Sequence, residues 1–190
     1  MNKRPVQKTL TFSEEELQEY LSMGAVIKRG KQYAFVLHYH EITIECPILL
    51  MKNGSYLIVY PSFKLPYRPY PIFVYLYAVA LYLSSGESQR KAAEKTRKVF
   101  GMETFDHSTI CRFLQKIYLA IPALVRYGAQ IMSEWGALVA RAARRKHWDE
   151  ERYEKADRLC SLIGHILRAP PDFGCWLAQK YWDDHSSFLV

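Results

Sequence analysis

The chain has 190 residues, 49% of them hydrophobic and 24% charged, which suffices for one good core with an appended helical module and excludes intrinsic disorder. Twenty-six Lys and Arg against nineteen Asp and Glu give a net charge of +7, a balance that favours a polyanionic partner, although many basic proteins bind no nucleic acid. The most apolar run, 72–83, is twelve residues broken by tyrosines, too short to span a bilayer, so no membrane role is expected.

Residues 1–12 read as a loose arm, basic at its start but without the apolar run of a secretory signal. Ser13 and Glu16 have capping-box spacing and open a short helix carrying Leu17, Tyr20 and Leu21. The pattern then changes to strands. Residues 33–37 and 42–44 are rich in β-formers, and 48–51 and 56–60 flank Asn53-Gly54, a strong hairpin signal. A small antiparallel sheet is therefore expected within an N-terminal strand-rich module, 1–60. The segment 61–71 follows, with four prolines that exclude helix. Its alternating aromatics and cations suit an arm laid along a phosphate backbone, and equally a packed connector.

A buried helix is expected at 72–83, and the next two helices complete a three-helix unit over 72–121. Ser88 is placed as an N-cap, because its hydroxyl can accept from free amides of the first turn. Ala92, Ala93, Thr96 and Phe100 recur at helical spacing and face inward, and Gly101 ends the helix in a left-handed conformation. Asp106 is the next cap. Beyond it Ile110, Phe113, Leu114 and Ile117 form one apolar stripe, while His107, Ser108, Thr109, Arg112 and Lys116 fall largely outside it. Two helices around a turn, the second opening on small polar groups and an arginine, match a helix-turn-helix that reads the DNA major groove. Short hydroxyls reach bases or phosphates, and Arg112 can pair with guanine or grip a phosphate. Ser88, Arg90, Lys91, Lys95, Lys98 and Lys116 suit the backbone, and 88–116 holds seven Lys or Arg against three Asp or Glu. The turn 101–105 is longer than the three or four residues of a tight helix-turn-helix.

In the C-terminal region, 122–190, Pro122 is expected to start a new helix. Leu124, Ile131, Leu138 and Ala142 mark its stripe, and Arg141, Arg144, Arg145 and Lys146 its basic end. Trp148, Asp149 and Tyr153 fit a hydrophobic staple around an N-cap. Tyr153, Ala156, Leu159, Cys160, Ile163 and Leu167 continue a stripe until Pro170-Pro171, and Trp176, Tyr181 and Trp182 lie in a tail. These helices suit either an intramolecular bundle or a homodimer. The fold class expected is α+β: a small antiparallel sheet, then a mostly helical domain.

The order of parts resembles a transposase-like family of bacterial, insertion-sequence-derived proteins. In that family a strand-rich module, often a zinc ribbon, leads into a box close to L-P-S-F-L-x-P-Y-R-x-Y, then into a helix-turn-helix ending near S-H-S-T-I-x-R-W-L. The box stands here at 60–70 and the phrase at 106–114, from Asp106-His107-Ser108-Thr109 to Arg112-Phe113-Leu114. The resemblance covers about 40–117 and implies a DNA-binding protein of a mobile element with a role in DNA recombination. The ribbon cysteines are missing. His38, His40 and Cys46 offer three metal ligands where structural zinc wants four, so no metal is expected and His38 and His40 are placed on one face of a strand.

Strand transfer needs carboxylates converging on Mg²⁺. Glu150, Glu151, Glu154 and Asp157 alternate with Arg152, Lys155 and Arg158, which suits a solvated, self-paired helix face. Asp183-Asp184-His185 is the most suggestive cluster, but it lies in the tail and the sequence identifies no partner for it. The four cysteines are scattered without paired spacing, which points to a reducing cytoplasm. The expectation is a cytoplasmic binder of double-stranded DNA that is not an enzyme and carries no cofactor. The alternative is a helical interaction or oligomerisation module with no nucleic-acid role, and a third reading is a nuclease built on the tail acids.

Overall fold

The chain is α+β. The computed structural model describes residues 6–10, 14–61, 64, 68–131, 140–169 and 172–185. Three strands, β2 (Val26–Leu37), β3 (His40–Leu50) and β4 (Tyr56–Pro61), form an antiparallel meander rich in β-branched and aromatic residues, β4 being buried along nearly its whole length. The Asn53-Gly54 signal marks the β3–β4 turn. Gly54 sits at φ 76°, and the Asn53 side chain accepts from the Ser55 amide at 2.9 Å. The β2–β3 turn is made by His38 and Tyr39, both at positive φ (50° and 62°), the geometry of a type I′ hairpin. His38 and His40 therefore do not share a strand face: His38 lies in the turn and His40 opens β3.

Of the expected N-terminal arm, the described residues 6–10 form a strand. β1 (Val6–Leu10) pairs in parallel with β4, giving the order β1-β4-β3-β2. An open β4 edge would leave its amides and carbonyls unpaired, and the arm supplies the partner. The sheet is mixed for that reason, where a purely antiparallel one was expected. Helix α1 (Glu14–Ser22) lays Leu17 and Tyr20 against Ala25, Leu49, Leu57 and Val59. Ser13, its expected cap, lies outside the described residues.

Cys46, Ile48, Ile58 and Tyr60 form a second buried cluster of the sheet. Lys64 joins them: its side chain is fully buried, donates from Nζ to the Arg68 carbonyl, and stands 4.2 Å from the Tyr33 ring centroid. Lys64 also bridges to Pro71, while Tyr70 and Pro71 are buried. Where 61–71 is described, it is a packed connector and not a free arm.

The helical part begins with α2 (Ile72–Ser85), buried on most of its surface and ended by Gly86 at φ 71°. α3 (Gln89–Phe100) follows, then α4 (His107–Ile131), α5 (Glu150–Arg168) and α6 (Asp172–His185). Pro122 does not start a new helix: it lies inside α4, so the ranges 72–121 and 122–190 share one helix. The spacing of Phe113, Ile117, Ala120, Leu124 and Tyr127, all buried, crosses Pro122 without a break in phase. Their burial offsets a proline penalty of about 3 kcal/mol on an exposed position.

The expected basic helix end is also absent, since residues 140–149 are not helical. Asp149 caps α5 by accepting from the Arg152 amide at 2.8 Å, as its position predicted. α5 buries Ala156, Leu159, Cys160 and Ile163. Its last core residue is Ile166, while Leu167 turns outward. That apolar face is covered within the chain, along α2. The supposed tail is helix α6, which buries Leu177 and holds Tyr127 on α4 through a hydrogen bond to His185 Nε2 at 3.2 Å.

Candidate nucleic-acid interface

Local caps and packing from earlier in the chain position α3 and α4. Ser88 caps α3, its Oγ accepting from the Lys91 amide at 3.3 Å, and Gly101 closes it at φ 54°. Ala92, Ala93 and Thr96 are buried against the other helices, and the Thr96 hydroxyl donates to the Ala92 carbonyl, so no polar atom is stranded there. The six residues between α3 and α4 are held by aromatic packing. Tyr70 donates its hydroxyl proton to the Thr104 carbonyl, and Phe105 lies 5.9 Å from the Tyr70 ring and 5.8 Å from Tyr75. Tyr75 in turn stacks on Phe113 of α4 at 5.4 Å and 12°. A turn longer than the tight type is thereby made rigid.

The hairpin tip completes the arrangement. The His38 amide donates to the Phe100 carbonyl at 2.6 Å and the Tyr39 amide to the Gly101 carbonyl at 3.0 Å. These are carbonyls that a helix end leaves without an internal partner. A left-handed conformation at two non-glycine residues costs about 1–2 kcal/mol each, and it aims both amides at the end of α3. The sheet therefore fixes where α3 stops and α4 starts.

α4 presents two faces. Ile110, Phe113 and Ile117 are buried, and Leu114 packs beside them. Arg112 and Lys116 are exposed, while His107, Ser108 and Thr109 are half-buried. The Arg112 guanidinium folds back along its own helix. Its Nε donates to the Ser108 carbonyl at 3.2 Å and its Nη2 to the Ser108 hydroxyl at 3.3 Å. This holds the arginine beside the first turn with donors still free to face outward. His107 Nδ1 lies 3.8 Å from the Asp106 carboxylate, and Glu103 and Asp106 place two acids just before α4.

The backbone-binding candidates separate into two groups. Arg90, Lys91 and Lys116 are exposed without an ion pair among the described residues. Lys95 pairs with Glu87 at 2.8 Å and Lys98 with Glu94 at 2.8 Å, so part of their charge is spent inside the protein. Ser88 is used by its cap.

Among the described residues no group of three or more His, Cys, Asp or Glu side chains is gathered as a metal site. Cys46 is buried and His38 and His40 are exposed. Asp184 pairs with Lys180 at 3.0 Å, and His185 is committed to Tyr127. The acids of α5 are self-paired in part, as in Lys155 with Glu151 at 2.6 Å, and Asp157 accepts from the Ala142 amide.

Sequence reasoning missed Arg145, which it placed on a basic helix end. Its Nη2 donates to the carbonyls of Tyr82 and Glu87, both at 2.7 Å, and its guanidinium stands 4.2 Å from the Tyr82 ring centroid. It fastens the α2–α3 turn from 58 residues away, and no local pattern signals such a contact. α4 is also the one helix among the described residues long and apolar enough to cross a membrane by length and composition. It carries Arg112, Lys116 and Arg126 on exposed positions and sends its apolar face into the core, as the central helix of a packed fold does. Compared with known proteins, the chain matches no family model, no curated protein and no solved structure.

Proposed function

We propose that this chain binds double-stranded DNA through the start of α4, as a transposase-like or transposase-derived protein without its own catalytic core, acting in the cytoplasm. One observation carries the reading. The first three turns of α4 offer Ser108, Thr109, Arg112 and Lys116 on its outer side, while Ile110, Phe113 and Ile117 anchor the opposite side. A helix start that is both anchored and polar is what a groove-reading element requires. Arg90 and Lys91 on α3 add cations that neutralise phosphates. Where a mobile element needs strand chemistry, a separate chain supplies it.

The test is selection of duplexes from a random pool at physiological salt. A recovered motif is expected, with affinity falling steeply as salt rises. Arg112→Ala relaxes preference at one position of that motif, whereas Lys91→Ala weakens all sequences alike. A pool that returns no enriched sequence, together with salt-independent binding, sinks the assignment.

A second reading is supported by Leu119, which is 82% exposed on α4 although it is a large apolar side chain. A protein contact at that point, including a second copy of this chain, would cover it. Light scattering on the wild-type chain and on Leu119→Glu separates the two readings: a dimer lost in the variant favours the contact.

A further inference from the structure

We propose that the segment 141–147 is a second contact to the phosphate backbone of the duplex engaged by α4, made chiefly by Arg141 and Lys146. The inference rests on the DNA-binding reading and extends it to residues that the helix-turn-helix pattern does not contain.

The segment is pinned from within. The Ala142 amide donates to Asp157 Oδ1 at 2.8 Å, and the Ala143 amide donates to the Leu83 carbonyl at 2.8 Å. Arg145 reaches the carbonyls of Tyr82 and Glu87. The Ala143 methyl lies so near the turn that a Cβ on Gly86 would stand 3.4 Å from it. Three of the seven residues thus hold the backbone against the α2–α3 turn. The remaining polar side chains, Arg141, Arg144, Lys146 and His147, are exposed.

Charge accounting narrows the contact. Arg144 is committed to Glu150 and lies 4.7 Å from the Tyr153 ring centroid. Glu87, the acid within the α2–α3 turn, is paired with Lys95. Arg141 and Lys146 have no ion pair among the described residues and border the turn from which α3 starts with Arg90 and Lys91. Four cations without an ion pair among the described residues, from two distant parts of the sequence, therefore flank the α2–α3 turn. A polyanion of extended, regular charge suits such a row better than a compact anion does. Because the backbone is already fixed, little ordering entropy opposes binding.

The test uses the full chain with fluorescence anisotropy on a selected duplex, at several salt concentrations. The double variant Arg141→Ala/Lys146→Ala is compared with the wild type and with Arg112→Ala. Two lost phosphate contacts lower the slope of log affinity against log salt by about 2, with base preference unchanged. Arg141→Glu/Lys146→Glu weakens binding further, and both variants keep the wild-type melting temperature because the side chains are exposed. A double variant whose affinity and salt slope equal those of the wild type overturns the inference, even while Arg112→Ala still relaxes preference. A change in base preference in place of slope also overturns it. Loss of poly-glutamate binding with duplex binding untouched reassigns the surface to an acidic protein. Failure of the wild-type chain to bind any duplex overturns the underlying reading as well.

Discussion

The two turns of the three-helix unit are held by segments on opposite sides of it in sequence and by different forces. The α3–α4 turn is set by aromatic packing around Tyr70, Tyr75, Phe105 and Phe113 and by two backbone amides from the β2–β3 hairpin. The α2–α3 turn is set by one guanidinium, Arg145, and by the Ala143 amide. The first is a distributed, apolar clamp that fixes the start of the reading helix. The second is a concentrated, polar one that also carries exposed cations. Losing one group from the aromatic clamp leaves a cavity, whereas losing Arg145 strands two carbonyls at once.

The largest effect is expected at the centre of the first clamp. Phe113 is fully buried on the Tyr75 ring, so Phe113→Ala lowers stability by about 3–5 kcal/mol, as measured by denaturant unfolding. Phe113→Leu recovers most of this if packing volume, and not stacking alone, makes the clamp. Gly101→Ala comes next, at about 3 kcal/mol. Its φ is 54°, and an added Cβ would stand 2.8 Å from the Tyr39 ring and 2.9 Å from the Tyr39 nitrogen. Amide exchange then accelerates at His38 and Tyr39, the donors to the end of α3, and stays slow at Ala143.

Arg145→Met tests the other clamp, with a loss of about 2 kcal/mol from two unpaired carbonyls. Here exchange accelerates at Ala143 and not at His38. If each variant loosened both turns equally, the two clamps would be one cooperative unit and the comparison would fail. Arg145→Lys rescues little, because an ammonium lacks the planar guanidinium that stands over the Tyr82 ring and sets one nitrogen between both acceptors.

The smallest effect concerns Lys64, which ties the sheet to the connector. Burial lowers its pKa from the ordinary lysine value to about 8. Between pH 8 and the unfolded value of 10.5 the unfolded chain holds more protons than the folded one, so stability rises with pH. Burial raises the Cys46 and Cys160 thiols to about 11, so above pH 9 the unfolded thiols lose protons first and oppose the trend. Lys64 alone contributes about 1 kcal/mol between pH 8 and 9, and the two thiols, which already lose protons in the unfolded chain as pH 9 is approached, offset more than half of it. Lys64→Met removes that contribution. A rise that persists in the variant would show that another group is responsible.

Where the signal lay in neighbouring residues, it was legible in the sequence. Ser88 and Asp149 act as caps, Asn53-Gly54 turns a hairpin, and Gly101 ends α3. The apolar periods of α2, α3 and the first half of α4 mark their buried faces. Pro122 misled because its preference for a first helical position is local, while the apolar phase that carries α4 past it extends over several turns. The polar character of the α4 start was readable from Ser108, Thr109 and Arg112, but that Arg112 is exposed and the two hydroxyls half-buried was not, because exposure depends on what packs nearby.

By itself, then, the order of residues determined the α+β class, the caps at Ser88 and Asp149, the Asn53-Gly54 turn, the end of α3 at Gly101, and the composition of each helix face. These follow from hydrogen bonds and side-chain periods that span four residues or fewer. Tertiary structure alone decided that β1 pairs with β4, that a hairpin tip closes α3, that Lys64 is buried, and that Arg145 holds the α2–α3 turn. Each of these joins segments far apart along the chain, where the cost of closing the intervening loop grows only slowly with its length. Nothing near a residue in sequence then names its partner; the competition among all buried surfaces and unpaired polar groups selects it.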